Sequence, residues 1–243
     1  MIDSSEKISK GLSVKLALAE SFVELVEARS VDEVTVNMIV EGLGKHRKTF
    51  YYHFSSKQQL IEWLFRYELA QELEHAFKPD QLIYEGPDGS FPALPYYARN
   101  IGELQRIYNA PFFDGLYRCF ERRRSYYRRV FSRLGPDTLE HYMLNLYRPA
   151  IADDIRYLIE RKTAEQNLLL HGDVHEKIDR GYSVDFLAEF YTGAFVSRYI
   201  QRLNYSSAGR TVEEISPFED VIHDSLGWII HQEVTKAVDA LRA

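Results

Sequence analysis

The chain has 243 residues, of which 45% are hydrophobic, and its net charge of -6 excludes the class of nucleic-acid-binding protein that is basic throughout. Any attraction for nucleic acid must come from a local group of cations. The single cysteine, Cys119, allows no disulfide within the chain, as is typical of a reducing compartment. Residues 1–12 lack the apolar core of a signal peptide, and no stretch reaches the roughly 20 apolar residues of a membrane span. We therefore expect a cytoplasmic protein without a membrane partner.

Apolar residues at helical spacing predict four helices in the first third of the chain, after a disordered lead-in over residues 1–11. Thr35 is placed to cap the second helix, Gly44 to end it, and Ser56 with Gln59 to cap the fourth. The expected ranges are 13–28, 35–43, 47–53 and 56–77.

A loop rich in proline and glycine follows over residues 78–95. Five further helices are predicted over 96–108, 113–134, 137–170, 183–203 and 217–241. No segment alternates with the period of two residues that a half-buried strand requires. The sequence therefore predicts an all-α fold of about nine helices.

The third predicted helix lies in a basic window. No acidic residue occurs between Glu41 and Glu62. The window contains four cationic residues and two histidines: Lys45, Arg47, Lys48, Lys57, His46 and His53. Attraction to phosphate dominates the sequence-independent part of DNA binding, so an acidic chain with one such window indicates a local DNA contact.

The same window has two faces. Phe50 and Phe54 are four residues apart and are expected to pack inward. Thr49, Tyr51, Tyr52 and His53 then point outward, where hydroxyl groups can bond phosphate and a threonine methyl can meet a thymine methyl. Three short helices with a glycine in the turn are typical of a helix-turn-helix.

Residues 35–60 resemble the signature of the tetracycline-repressor (TetR) family, T-[FL]-Y-x-[HY]-F-x-[SN]-K-x-x-L after a threonine-capped helix that ends in glycine. The matching residues are Thr49, Phe50, Tyr51, His53, Phe54, Ser56, Lys57 and Leu60. Two residues depart from the usual pattern: Lys45 replaces an apolar residue and Lys48 replaces a small one. Lys48 is expected to reach either a base or a phosphate.

The resemblance, strong over residues 13–68, implies a DNA-binding domain over 1–70 and a helical effector-binding and dimerisation domain over 71–243. It implies a homodimer on a palindromic operator, with repression as the default. The DNA contacts expected are Thr35, Lys45, His46, Arg47, Lys48, Thr49, Tyr51, Tyr52, His53 and Lys57. Lys57 is expected to hold a phosphate at the start of the fourth helix, and His46 is either a contact or a turn residue.

Aromatic residues are dense between 84 and 157, which indicates either an aromatic ligand pocket or an aromatic-rich core. The first candidates for contacts with an unknown small-molecule effector are Tyr108, Phe112, Tyr117, Phe120, Tyr142 and Tyr147. Through Arg47 and residues 49–54, the N-terminal half also resembles regulators of dihydroxyacetone-kinase operons, in which a protein partner can replace the small ligand. Partner control is therefore the alternative function.

Seven arginines lie between residues 118 and 133 with one acid among them, Glu121. The leading interpretation is a set of ion pairs to the first helix, which carries Glu20, Glu24 and Glu27. An anionic ligand site is second, and another DNA-contacting patch is third.

No metal, cofactor or catalytic site is predicted. His171 and His175 are four residues apart, but Gly172 lies between them in a predicted loop and no third ligand is evident. The fingerprints of hydrolases, nucleotide-binding enzymes and zinc proteases are missing from the sequence.

The last two long helices carry broad apolar bands, which predict either a dimer interface in a four-helix bundle or burial within one monomer. The predicted interface residues are Leu187, Tyr191, Ala194, Phe195, Ile222, Ile229 and Ile230.

Overall fold

A computed structural model describes residues 4–101, 110–165, 183–205 and 211–242, and nine α-helices lie within these ranges. They are α1 (Ser4–Ala28), α2 (Val36–Glu41), α3 (Arg47–His53), α4 (Lys57–Ala76), α5 (Ala110–Arg122), α6 (Arg124–Phe131), α7 (Leu139–Glu165), α8 (Val184–Tyr205) and α9 (Thr211–Arg242). The prediction of an all-α fold is confirmed.

The first helix begins earlier than predicted. The structure starts α1 at Ser4, whereas residues 1–11 were expected to be disordered. A helix that is already nucleated adds residues at little cost, and glutamate and lysine, which occupy positions 6, 7 and 10, are good helix formers. The packed part of α1 lies further on, where Leu18, Phe22 and Val26 are buried.

The helix ends of the N-terminal unit, by which we mean α1–α4, follow the predicted capping. Thr35 Oγ1 accepts a hydrogen bond from the Met38 amide at 3.3 Å, and Ser56 Oγ accepts one from the Gln59 amide at 3.1 Å. Gly44 has φ +60°, a left-handed conformation that costs glycine little. These features set where α2 and α4 begin and how the chain turns after α2.

The segment after α4 differs from the prediction. Two short strands, β1 (Leu82–Ile83) and β2 (Tyr97–Ala98), pair antiparallel, with Leu82 opposite Ala98 and Ile83 opposite Tyr97. Both the absence of strands and a helix beginning at residue 96 were therefore wrong.

Contacts with α7 explain the strand. The Tyr97 hydroxyl donates to Asp154 Oδ2 at 2.6 Å, and Arg99 Nε donates to Asp154 Oδ1 at 2.5 Å. Asp154, which is 55 or more positions away, thus holds this segment in an extended conformation. Local periodicity does not reveal such a distant contact.

The arginine-rich helix predicted over 113–134 is two helices. Arg123, between α5 and α6, has φ -130° and ψ 49° and interrupts the helical path. Its guanidinium bonds Glu20 on α1 and Glu68 on α4, so the break directs this side chain into an ion-pair network.

In the C-terminal unit, by which we mean α5–α9, α7 packs against α8 and α9. Helix α5 packs against α4 of the N-terminal unit. The core there is largely aromatic. Phe112 contacts Tyr97 with ring centroids 4.6 Å apart and Tyr147 at 5.7 Å, and Tyr147 contacts Phe195 at 5.4 Å.

Candidate nucleic-acid interface

Helix α3 has the two faces that the sequence predicts. Phe50 and Phe54 are 0% and 2% exposed, and their ring centroids are 5.8 Å apart. Phe54 also packs on Trp63 of α4 at 5.5 Å. These contacts confirm the inward role of both phenylalanines and attach α3 to the rest of the N-terminal unit.

The opposite face of α3 is exposed. Tyr51 is 50% and Tyr52 84% exposed, and Arg47 and Lys48 are exposed as well. Thr49 is half-buried. This face therefore presents cations and phenol hydroxyls together, which are groups that bond phosphate.

Arg47 is ordered on this face by Tyr51. Its Nη2 donates to the Tyr51 hydroxyl at 3.4 Å, and its guanidinium carbon lies 5.8 Å from the centre of the Tyr51 ring. The pair presents a cation and a phenol together, both of which bond phosphate oxygens.

At the end of α3, His53 is half-buried against Tyr52, with ring centroids 4.9 Å apart. Burial lowers the pKa of His53, and the nearby cations Lys15 and Lys45 lower it further. The lowered pKa favours the neutral imidazole, which can form hydrogen bonds without carrying a charge.

Lys15 of α1 also acts on His53, although no sequence motif predicted it there. Its ammonium lies 5.7 Å from the centre of the Phe54 ring and 5.4 Å from that of Trp63, and burial lowers its pKa. The only sequence signal was a lysine between the apolar residues Val14 and Leu16 of α1.

The residues flanking α3 have mixed roles. Thr35 uses its hydroxyl to cap α2, although the residue remains exposed. Lys45 is half-buried. His46 is the N-cap residue of α3, is exposed, and makes no side-chain capping bond, so both of its predicted roles remain compatible with its position.

Lys57 has a contact that the sequence did not predict. Its ammonium donates to the carbonyl oxygens of Val31 at 2.9 Å and Val34 at 2.6 Å, and burial lowers its pKa. Two of its three N–H groups are thus used inside the domain. The structure gives this lysine an internal role, joining α4 to the α1–α2 connector, and the expected phosphate contact stays a prediction.

This contact predicts a stability effect for Lys57→Met. Removing the ammonium leaves two carbonyls without their donors while the aliphatic stem is kept, so the free energy of unfolding should fall by about 1–3 kcal/mol. Urea denaturation followed by circular dichroism measures it. Lys48→Met, on the exposed face of α3, is the control and should change stability by less than about 0.5 kcal/mol. Equal effects of the two substitutions would contradict the internal role.

The predicted effector residues are mostly core. Phe112, Phe120 and Tyr147 are at most 2% exposed and pack against other aromatic rings, as with Phe120 on Phe65 at 5.7 Å. Tyr117 is half-buried. Tyr142 lines a groove of about 380 Å³ together with Tyr84, Tyr96 and Pro149, and Tyr108 lies outside the described residues.

The predicted dimer residues are also largely internal. Leu187, Tyr191, Phe195 and Ile230 are at most 3% exposed within the single chain, because they contact other elements of the same protomer. Tyr191, for example, shares a 3.0 Å hydrogen bond with Ser225 of α9. Ala194, Ile222 and Ile229 are half-buried.

Different residues of the last two helices carry exposed apolar surface. On α8, Phe186 and Phe190 are 53% and 59% exposed and stack with their ring centroids 6.5 Å apart. On α9, Val221 and Trp228 are each 64% exposed. Four of the predicted interface residues are thus buried within one protomer, and the exposed apolar side chains of these two helices lie at other positions.

The arginine cluster joins the two units. Arg123 Nη1 donates to Glu20 Oε2 at 2.8 Å, and Arg133 Nε lies 3.2 Å from Asp32 Oδ1. The expected ion pair to the first helix is confirmed for Glu20. Arg118 and Arg122 instead pair with Glu72 on α4.

The described ranges contain no group of three or more histidine, cysteine, aspartate or glutamate side chains placed to bind a metal. His171 and His175 fall outside them. Among the helices of those ranges, none is long and apolar enough to cross a membrane.

Three helices packed around Phe50 and Phe54, with the third presenting a cationic and phenolic face, define a helix-turn-helix domain. The family profile described as "Bacterial regulatory proteins, tetR family" matches residues 22–64. Residues 22–64 therefore carry a helix-turn-helix domain of the TetR-family type.

A curated relative is similar over part of the chain. The "HTH-type dhaKLM operon transcriptional activator DhaS" of Lactococcus lactis subsp. lactis (strain IL1403) is 23% identical over 64 residues. The match covers 26% of this chain and 34% of that relative, or about a third of its length. The family profile is matched by residues of the N-terminal helices alone.

Proposed function

We propose that this protein is a DNA-binding transcriptional regulator that binds a near-palindromic operator as a homodimer. The observation that carries the proposal is the exposed face of α3, where Arg47, Lys48, Tyr51 and Tyr52 project from a chain of net charge -6. The TetR-family match over residues 22–64 supports it. Recognition helices of this class lie in the major groove, and two of them would occupy grooves about 34–36 Å apart.

Operator binding tests the proposal directly. The full-length protein should retard the duplex upstream of its own gene in a gel, or increase its fluorescence anisotropy. The affinity should fall steeply as the salt concentration is raised. Lys48→Ala should flatten the log–log salt dependence by about 0.9 if Lys48 neutralises a phosphate, or change sequence preference if it contacts a base. Lys78→Ala, an exposed lysine after α4, is the control and should do neither. No binding at micromolar protein and low salt would contradict the proposal.

Dimerisation is supported by the exposed aromatic residues of α8 and α9. A helix-turn-helix of this size reads one half-site, so a palindrome needs two copies related by a twofold axis. Phe186, Phe190, Val221 and Trp228 are the residues we propose for the contact, because they are exposed in the single chain. They replace the buried residues that periodicity had indicated.

The direction of control depends on where the operator lies relative to the promoter. We propose repression, the default that the family implies, with activation, the role in the name of the Lactococcus relative, as the alternative. A promoter–reporter fusion in a strain without the gene distinguishes them, since expression should rise for a repressor and fall for an activator.

Control by a small effector is supported by two polar atoms in the C-terminal core. The hydroxyls of Tyr147 and Thr192 are buried without a hydrogen-bond partner among the described residues. Buried polar groups are nearly always bonded, so these two are candidates for an effector contact.

The packed rings of Phe112 and Phe120 favour the alternative, a protein partner, because they leave little space between them. Thermal shift with a metabolite panel tests the first, and co-purification tests the second.

The unpartnered hydroxyl leads to a prediction for a pair of tyrosines. Tyr147→Phe should change the free energy of unfolding by less than about 0.5 kcal/mol, or raise it, because no hydrogen bond is lost. Tyr127→Phe is the comparison, since the Tyr127 hydroxyl donates to Glu68 Oε2 at 2.6 Å, and it should cost about 1.5–3 kcal/mol. Thermal and urea unfolding measure both. A large loss of stability in Tyr147→Phe would show that the hydroxyl is already satisfied.

A further inference from the structure

A groove of about 650 Å³ lies between α6 and α8, on elements other than α3. Its described lining consists of Arg124, Ser125, Arg128, Arg129, Ser132 and Asn204. This set contains three guanidinium groups, two hydroxyls and an amide, and no carboxylate. Its volume falls within the range of about 300–1,000 Å³ that is typical of small-molecule sites.

Arg124 joins the two walls of the groove. Its Nη1 pairs with Glu121, and its Nη2 donates to the carbonyl oxygens of Arg202 at 3.2 Å and Leu203 at 2.7 Å. These bonds hold the last turn of α8 against the start of α6, so the groove is built by specific contacts between its walls.

Arg128 and Arg129 differ from the other arginines of this cluster. Arg118, Arg122, Arg123, Arg124 and Arg133 each pair with a carboxylate. Arg128 and Arg129 are exposed and have no ion pair or side-chain hydrogen bond within the described parts of the chain. Arg129 does interact electrostatically with Glu33. The pKa of Glu33 is lowered mainly by hydrogen bonds from Ser30, and Arg129 makes the smallest contribution to that shift.

Two unpaired cations at one concave site of an acidic protein carry an unbalanced local charge. A phosphate group has a charge of about -1.5 to -2 and three strong acceptor oxygens, and the planar guanidinium fork bonds such oxygens in pairs. A single carboxylate would balance only one of the two arginines. The remaining volume accommodates the organic part of a phosphate ester.

We infer that the groove between α6 and α8 binds a small phosphorylated anion through Arg128 and Arg129. Ser125, Ser132 and Asn204 supply further hydrogen-bonding groups to the same molecule. The described lining residues belong to α6, its C-cap and α8, and none belongs to α3, so we expect that each function can be lost without the other.

Isothermal titration of the full-length protein with inorganic pyrophosphate at low ionic strength tests the inference. The wild-type protein should bind one pyrophosphate per chain saturably. The double variant R128Q/R129Q should bind about 100-fold more weakly, or about tenfold per arginine. Since neither side chain has a partner, its melting temperature should equal that of the wild type.

Two controls separate this site from general charge attraction. R148Q/R156Q removes the same charge from exposed arginines of α7, paired with Glu189 and Asp153, and should bind pyrophosphate as the wild type does. Lys48→Gln, on α3, should also leave the affinity unchanged. Absence of saturable binding, or equal weakening in either control, would overturn the inference. So would a loss of operator affinity in R128Q/R129Q as large as its loss of pyrophosphate affinity, which would assign the groove to DNA.

Discussion

Replacing Arg123 by methionine is expected to lower the free energy of unfolding by about 3–5 kcal/mol. Arg123 Nε donates to Glu68 Oε1 at 2.5 Å, and the Glu68 side chain is only 4% exposed. Without the guanidinium, this carboxylate stays buried with the Tyr127 hydroxyl as its remaining donor. An uncompensated buried charge is among the largest single-residue penalties in a protein.

The same substitution should also weaken the connection between the two units, because Arg123 bonds Glu20 of α1 as well. We expect the N-terminal helices to exchange their amide hydrogens faster in Arg123→Met than in the wild type. Hydrogen exchange and urea unfolding measure the local and the global effect.

A surface arginine of the same cluster provides the control. Arg118 is 49% exposed and pairs with Glu72, which Arg122 also contacts, so Arg118→Met should cost at most about 1 kcal/mol. Adding Glu68→Gln to Arg123→Met should recover part of the loss, because the buried charge is then removed. If the double variant is no more stable than Arg123→Met, the penalty does not come from the Glu68 carboxylate.

The second large effect is expected at the exposed aromatic residues of the last two helices. The variant F190E/W228E should be monomeric in light scattering, near 28.4 kDa, where the wild type should have about twice that mass at low micromolar concentration. Glutamates placed at the centre of an apolar interface would be buried without partners. Operator affinity should fall with the dimer by about 100-fold or more, because binding to the second half-site is then no longer intramolecular.

Leu134→Glu is the matched control, since Leu134 is 94% exposed and lies beyond the end of α6. It should remain a dimer with wild-type operator affinity. Phe195→Glu does not test the interface, because Phe195 packs on Phe113 and Tyr147 inside the protomer and its replacement should unfold the chain. A dimeric F190E/W228E variant would place the contact elsewhere.

The sequence by itself determined the features that depend on neighbours along the chain. The helical class, the caps at Thr35 and Ser56, the left-handed Gly44 and the inward Phe50 and Phe54 all follow from residues within four positions of one another. Their physical causes are helical periodicity, capping hydrogen bonds and backbone sterics. The exposed basic face of α3 follows from the same periodicity.

Tertiary structure decided the features that depend on distant partners. Asp154 holds Tyr97 in a strand, Glu20 and Glu68 engage Arg123 at the break between two helices, and the carbonyls of Val31 and Val34 take the ammonium of Lys57. A sequence window contains only one member of each of these pairs. For the same reason, periodicity showed that α8 and α9 carry broad apolar bands but not which residues of each band are buried. The packing of these helices on the rest of the protomer separates the core residues Tyr191 and Phe195 from the exposed Phe190 and Trp228. An apolar band wider than one contact can be buried in several ways, and the choice among them depends on what the other helices cover.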